Sequence, residues 1–230
     1  MKLVKATLAM ATALGATMAT VPAAAQVNGI AISSPEAVIY NAQARQAAYQ
    51  QIGQTYQSQI QQANTLQQEI NALQQSFDTN SDGQITEAEV QANPNGVTQI
   101  RQKEQQIATL YQPVALAQAY VIEQLVNDYQ NAVNQVIQQK NIQIMLSPDV
   151  VQFAPEDADV TDDIVATLNQ RMPTVQTQPP AGWQPSRQTA ALRQQIQQIA
   201  VGLAQQQAIA QAQAQQQSAQ PQAPAQPTGR

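Results

Sequence analysis

The residues of this chain best suited to chemistry lie close together in the segment 78–89, which reads DTNSDGQITEAE. Oxygen-bearing side chains occupy its first, third and fifth positions, a glycine follows, and a glutamate stands at the twelfth. This is the spacing of a calcium-binding loop, in which hard oxygen ligands surround the cation and the glycine allows a sharp turn. The predicted ligands are Asp78, Asn80, Asp82, Gln84, Thr86 and Glu89. Gln84 would act through its backbone carbonyl and Glu89 through both of its carboxylate oxygens.

This EF-hand-like loop departs from the usual pattern in two respects. The helix predicted to leave it, 86–92, is short before the Asn-Pro-Asn-Gly sequence at 93–96 interrupts it. The sequence also contains one such loop, where these motifs usually occur in pairs. We therefore expect a modest calcium affinity, with a dissociation constant on the order of 10⁻⁴ M, as in extracellular modules. The alternative is that the segment is only a polar turn rich in turn-forming residues.

The overall composition excludes several other kinds of chemistry. The 230 residues contain no His and no Cys, which rules out ordinary zinc sites, haem attachment, disulfides and catalysis by Ser-His-Asp or Cys-His groups. Acidic residues outnumber basic ones by 15 to 10, so there is no basic face for nucleic acid. Outside the loop, acids cluster only at 156–163, where helix capping explains them. We therefore predict that the protein is not an enzyme.

The first 25 residues are predicted to be a cleavable signal peptide. Lys2 and Lys5 precede an uncharged run of Ala, Leu, Met and Thr, and the small residues 23–25 provide a site for signal peptidase. The run is too short and too weakly apolar to span a bilayer, and Gln26 rather than Cys follows the predicted cut, which excludes lipid anchoring there. Because cleavage removes two lysines and no acid, the formal charge changes from -5 to -7.

Long helices with a narrow apolar seam are predicted to dominate the mature chain. About a fifth of the residues are Gln and only 4% are aromatic, which suits elongated helices better than one large core. A Ser-Pro-Glu sequence at 34–36 predicts a helix start with Ser34 as N-cap. Two helical segments within 36–140 flank the calcium loop, and Pro113 is expected to kink the second. The seam positions with heptad spacing are Ala63, Leu66, Ile70, Leu73, Phe77, Ile107, Leu110, Val114, Ala117 and Val121.

Short strands bracket these helices. The segments 27–33, 142–146 and 150–153 are apolar, and the last two flank a Ser-Pro-Asp turn, which predicts a hairpin or a bent strand pair. Thr161 is the predicted N-cap of a helix that ends near residue 172. Three short strands leave open edges and little core, so we expect association between subunits to complete this part of the fold.

The predicted fold class is mainly α with a small β body and a long antiparallel helical hairpin. After the signal peptide, the predicted segments are the strand-containing body (26–35 and 141–172), the hairpin (36–140) and a Pro-, Gln- and Ala-rich tail (173–230). The tail has a predicted helix at 187–217, and its linker composition indicates that it is independent of the body. Trp183, the one Trp of the chain, is either a docking residue or a lone exposed aromatic.

Two stretches carry a resemblance to a known family. They are 136–172, VIQQKNIQIMLSPDVVQFAPEDADVTDDIVATLNQRM, with Asp159 and Thr161 in its acidic turn, and GIAIS at 29–33 followed by the helix start. The chain resembles the Skp/OmpH family of periplasmic chaperones. The resemblance implies a homotrimer in the periplasm whose hairpins project as tentacles and hold unfolded outer-membrane proteins without nucleotide. Well-known members are basic, whereas this chain is acidic, which argues against electrostatic contact with the membrane.

Two functions follow from these features. The first is a periplasmic holdase chaperone for unfolded outer-membrane proteins, with calcium setting the stiffness or angle of the hairpin tip. The second is an exported calcium-responsive coiled-coil scaffold that bridges components of the cell envelope through its tail. Suppression of the aggregation of an unfolded barrel protein distinguishes the two, and neither identifies the residues that bind a client.

Overall fold

The computed structural model of the protein describes residues 29–218, so the predicted signal peptide and the last residues of the tail lie outside the described range. The elements in chain order are β1 (Ile30–Ile32), α1 (Pro35–Asn41), α2 (Gln43–Thr55), α3 (Gln57–Gln75), α4 (Glu87–Ala92), α5 (Pro94–Lys140), β2 (Ile144–Leu146), α6 (Thr161–Arg171) and α7 (Arg187–Ser218). None of the helices found between 29 and 218 combines the length and the hydrophobicity needed to cross a membrane.

β1 and β2 form a parallel pair, with Ile30 opposite Ile144 and Ile32 opposite Leu146. On the other side of β1, the backbone N–H of Val160 donates to the carbonyl of Ile32 at 2.9 Å. Each strand is only three residues long. A two-stranded sheet of this size is marginal in water unless further elements cover it.

The predicted strand at 150–153 is wrong. Residues Pro148–Val150 form a 3-10 turn, and 151–153 join no sheet in the described part of the chain. Pro148 lacks an N–H and starts this turn in place of a hairpin loop, so the outer edge of β2 stays unpaired within residues 29–218, and the backbone at 159–160 is what returns to the sheet, beside β1. The apolar side chains of Val150 and Phe153 are therefore left 72% and 86% exposed.

Two predicted helix starts have different outcomes. The prediction for Ser34 is confirmed, because its Oγ accepts a hydrogen bond from the Ala37 N–H at 3.1 Å. The prediction for Thr161 is wrong, because Thr161 is already helical and its own N–H donates to Asp159 Oδ1 at 2.9 Å. The Thr161 hydroxyl instead accepts from the Ser34 N–H at 3.2 Å, which ties the start of α6 to the start of α1.

The first helical segment is divided into three helices, and the break at Ala42 has a clear cause. The Gln43 N–H donates to Asn169 Oδ1 of α6 at 2.9 Å, outside the helical ladder. The Tyr40 carbonyl accepts from Arg45 Nε at 2.8 Å. The Arg45 guanidinium also lies 4.5 Å from the ring centre of Tyr40, a cation–π contact that helps to hold the bend.

α3 packs antiparallel against residues 94–113 of α5, and we call this unit the helix pair. Glu69 forms an ion pair with Lys103, and the Phe77 ring packs against Gly96. The predicted seam is correct, because each of its members is buried or half-buried, and its last three, Val114, Ala117 and Val121, lie on α5 beyond the helix pair. α5 continues through Pro113. The pairing of Glu69 with Lys103 fixes how the two helices align, and it places Pro113 about one helical turn from the level of Tyr56, where α2 ends and α3 begins.

The tail packs on the rest of the protein, so its predicted independence is wrong. Ile196 and Thr189 of α7 are buried, and Ile196 belongs to the main hydrophobic core with residues of α1, α2, α5 and α6. The Trp183 ring stacks edge-on against Tyr120 of α5, with 5.0 Å between the ring centres. Composition identified the segment as a linker but gave no information on the apolar groups that hold it in place.

Candidate calcium loop and ligand cleft

The predicted calcium loop lies between the end of α3 and the start of α4, at the end of the helix pair. Its first residue, Asp78, organises the turn: Oδ1 accepts from the Asp82 N–H at 3.1 Å and Oδ2 from the Gly83 N–H at 2.9 Å. Gly83 has a φ of 80°, which glycine adopts without strain. The carboxylate of Asp78 is thus fixed on the inside of the turn.

Asn80 and Asp82 belong to the same hydrogen-bonded turn. Asn80 Oδ1 accepts from the Asp82 N–H at 2.9 Å, and Asn80 Nδ2 donates to Asp82 Oδ2 at 2.9 Å. Asp82 Oδ1 accepts from the Gln84 N–H at 2.8 Å. The oxygens of the first three predicted ligands therefore point at backbone N–H groups within a single turn.

Glu89 connects the far end of the loop to its beginning. Its Oε2 accepts from the N–H and hydroxyl of Thr86 at 2.9 and 2.8 Å, and its Oε1 accepts from the N–H and hydroxyl of Thr79 at 3.1 and 3.2 Å. Thr86 Oγ1 accepts from the Glu89 N–H in return, which completes a capping box at the start of α4. These hydrogen bonds lower the pKa of Glu89 from 4.5 to about 2. The bond from the Thr86 backbone N–H contributes most, and the other bonds from Thr86 and Thr79 add to it.

The structure therefore brings five of the six predicted residues into two linked groups rather than one cage. Asp78, Asn80 and Asp82 form the first group, Thr86 and Glu89 the second, and Thr79, which the sequence motif does not specify, joins them. Across the residues that the structure describes, no three acidic side chains are close enough together to hold a metal ion. Gln84 takes part through its N–H, and nothing in the structure assigns its carbonyl to a ligand role.

A cleft of about 720 Å³ opens along the helix pair, on the body side of the loop. Its walls carry amides and hydroxyls, its floor carries two leucines, and no lining residue is charged. The lining residues are Gln62, Thr65, Leu66, Gln102, Gln105, Gln106, Thr109 and Leu110. Sequence reasoning missed this site; the available signal was the repetition of Gln and Thr beside the seam positions Leu66 and Leu110.

An apolar surface is exposed beside the sheet. Ile144 is 50% exposed on β2, its partner Ile30 is also exposed, and Val150 and Phe153 follow within ten residues of Ile144. β2 has no strand on its outer edge among residues 29–218. Exposed apolar side chains on a strand with an unpaired edge are typical of surfaces that another chain can cover.

These elements define a mainly helical protein, coiled-coil-like along its helix pair and built on a small parallel sheet. A family model described as Outer membrane protein (OmpH-like) matches residues 29–168, and this chain belongs to that family. The match extends from β1 into α6 and leaves the tail outside. The family relationship adds no role for α7.

A solved structure also matches this chain. It is described as an outer-membrane chaperone (OmpH-like) from Caulobacter crescentus CB15, with 18% sequence identity and a TM-score of 0.42. The match covers 69% of this chain and 95% of that one. The comparison with curated protein sequences gave no match.

Proposed function

We propose that this protein is a periplasmic holdase chaperone for unfolded outer-membrane proteins. The observation that carries the proposal is the OmpH-like match over residues 29–168, which includes both strands, the helix pair and most of α6. A holdase needs surfaces that bind without chemistry, and the cleft and the exposed apolar surface are of that kind. In this proposal the chain carries no catalytic activity and uses no nucleotide.

The proposed working form is a homotrimer assembled through the body. Within residues 29–218 the sheet has two strands and one open edge, its Ile30 and Ile144 side chains are exposed, and Phe153 is exposed in the segment that follows β2. Association would cover these groups and extend the sheet, both of which stabilise strands of this length. The three helix pairs would then project from the trimer as tentacles around a client.

The proposed tentacles move at a defined level. The α2–α3 break at Tyr56 and Pro113 of α5 lie about one turn apart on facing helices, and the main core ends near this level at Ile52 and Val114. Pro113 interrupts the backbone ladder of α5, because it lacks an N–H. At Tyr56 the dihedral angles leave the helical range, with φ at -105° and ψ at 20°, although its N–H still donates to Ile52 and its carbonyl still accepts from Ile60. Bending here would adapt the space between the tentacles to clients of different size.

Calcium is proposed to bind the loop at the tentacle tip. The ligand types fit this cation, because Asp78, Asp82 and Glu89 supply carboxylates and Asn80 a neutral oxygen at the required positions. Glu89 also lies against Thr79, the neighbour of Asp78, so the last ligand is already near the first. Binding would turn these oxygens from their internal donors towards the cation and join α3 and α4 more rigidly.

The proposed location and partners follow from the family and from charge. The proposed signal peptide directs the chain to the periplasm, where the mature charge of -7 disfavours both nucleic acid and electrostatic membrane contact. The partners are then unfolded outer-membrane proteins and other copies of this chain.

The test uses the mature chain and an unfolded outer-membrane barrel protein diluted from urea. We expect the protein to suppress the aggregation of the barrel protein, followed by turbidity, at a ratio near one trimer per client. Size-exclusion chromatography with light scattering should then give a soluble complex with the mass of one trimer and one client. An unrelated acidic coiled coil at equal concentration is the control. Unchanged aggregation in the presence of this protein would reject the chaperone proposal and favour the envelope scaffold.

A further inference from the structure

The structure contains one example of a glutamine side chain that binds an extended backbone. Gln124 of α5 accepts from the Gln176 N–H through Oε1 at 2.9 Å and donates to the Gln176 carbonyl through Nε2 at 2.8 Å. Gln176 lies outside any helix, in the segment between α6 and α7. A single amide thus satisfies both backbone groups of one residue, as a neighbouring strand would do.

The ligand cleft presents the same chemical group several times. Its α5 wall carries Gln102, Gln105 and Gln106, and none of their side-chain amides has an intramolecular hydrogen bond within the described residues. Gln62 on the facing wall donates only one long bond, to Ser58 Oγ at 3.3 Å. These amides are free to bind a partner, and the cleft volume is in the range that holds ligands.

We propose that the cleft binds an extended, uncharged segment of an unfolded polypeptide, with its glutamine amides paired to the segment's backbone. An extended chain exposes N–H and C=O groups sideways and places alternate side chains on opposite faces. One face would contact Leu66 and Leu110 on the cleft floor, while the glutamines bind the backbone above them.

The cleft chemistry favours this partner over others. A helical ligand has already satisfied its backbone groups, so free amides offer it little. A charged ligand would lose hydration without gaining a counter-charge, because no lining residue carries one. A barrel strand alternates apolar and polar residues and thereby matches a leucine floor with polar walls.

This inference rests on the proposed chaperone function and assigns it a site. Because recognition is directed at the backbone, the site accepts many sequences, as a chaperone requires. It also differs from charge-based capture, since binding in an uncharged cleft should be insensitive to salt.

The first test measures the fluorescence anisotropy of a labelled short peptide of alternating Thr and Val residues with the full mature protein, at a dilution at which the peptide alone is monomeric. The cleft variant carries Gln102→Ala, Gln105→Ala and Gln106→Ala, which preserve helix propensity. The matched control carries Gln61→Ala, Gln68→Ala and Gln99→Ala, three exposed glutamines of the same two helices that do not line the cleft. We expect the cleft variant to bind at least about ten-fold more weakly and the control to stay within about two-fold of wild type.

The second test changes the ligand. A peptide of the same sequence with alternate backbone nitrogens methylated keeps its side chains but loses donors, and should bind at least about ten-fold more weakly. If the triple variant fails to fold, Gln105→Glu alone, which keeps the shape and adds a charge, should also weaken binding. Equal affinity of the cleft and control variants, equal affinity for the methylated peptide, or no peptide binding by the wild type would each overturn the proposal.

The aggregation assay separates this inference from the function on which it rests. If the wild-type protein protects the barrel protein but binds no peptide in the cleft, the proposed chaperone function stands and the proposed site is rejected. If the wild-type protein binds the peptide through the cleft glutamines but does not protect the barrel protein, the proposed site stands and the chaperone function is rejected.

Discussion

Replacing Ile196 with alanine tests whether α7 is part of the folded unit. Ile196 is 4% exposed and lies in the main core, so the substitution removes buried methyl and methylene groups and leaves a cavity. Substitutions of this kind cost about 2–5 kcal/mol. We expect about 2–3 kcal/mol here, because α7 lies at the edge of the core and can partly close the gap.

The matched control is Ile209→Ala on the same helix. Ile209 is 58% exposed, so its replacement removes little buried surface and should change stability by less than about 0.5 kcal/mol. The gain in helix propensity from Ile to Ala is the same in both variants and cancels in the comparison.

Urea unfolding followed by circular dichroism measures both variants at one protein concentration, since association would make the midpoint concentration-dependent. The Ile196 variant should show a lower midpoint with an unchanged slope. Truncation after Met172 should be at least as destabilising, because it also removes the Trp183–Tyr120 contact. Equal midpoints for the two alanine variants would mean that α7 does not pack as the structure has it.

Three further predictions concern the loop, the association surface and the tip. Because the pKa of Glu89 is lowered from 4.5 to about 2, its support of the loop should be complete above about pH 4.5 and lost as the pH falls towards 2. Amide protection at Thr79 and Thr86, corrected for the pH dependence of intrinsic exchange, should fall with it; Glu89→Gln should remove the contribution of Glu89 to this pH dependence and weaken any calcium binding seen by calorimetry. Ile144→Asp should convert the proposed trimer to monomers in light scattering, while Val201→Asp, at an exposed position of α7, should leave it intact. An unchanged mass for Ile144→Asp would exclude this surface. In Gly96→Ala the new Cβ would lie 2.5 Å from Phe77 Cε1, so amide exchange at the tip should accelerate, whereas Gly53→Ala, with open space around it, should be neutral or stabilising.

The helix pair is the part of the fold that the sequence predicts best. Heptad spacing reports which side of a helix is buried, so Ala63, Ile70 and Phe77 could be assigned before any partner was known. The Ser34 cap is local in the same sense, because its donor is three residues away. Predictions of this kind need only the neighbouring sequence.

The errors occur where a distant residue decides the structure. The break at Ala42 depends on Asn169, and the Thr161 hydroxyl serves Ser34 rather than its own helix. The strand predicted at 150–153 had suitable residues, but Pro148–Val150 turn the chain after β2, and only the distant backbone at 159–160 returns to the sheet, beside β1. No local pattern contains this information.

The candidate site follows the same division. The loop sequence specified the order of oxygen ligands, but it did not specify that Glu89 turns back to Thr86 and Thr79. The cleft requires two helices in register, so its glutamines were indistinguishable from the many others in a chain that is about a fifth Gln.

The separation in sequence between contacting residues sets an order of folding as the chain emerges N-terminus first. Glu69 and Lys103 of the helix pair are 34 positions apart, whereas Ser34 and Thr161 are 127 apart and Gln43 and Asn169 are 126 apart. The closer contact closes a shorter loop and should form earlier. If the chain is exported as proposed, a chain only partly through the export channel would thus have a finished helix pair and no sheet. Its β1 edge would have no partner strand from the same chain. The proposed association surface around Ile144 would not yet exist either, so the proposed assembly would wait until each chain is nearly complete.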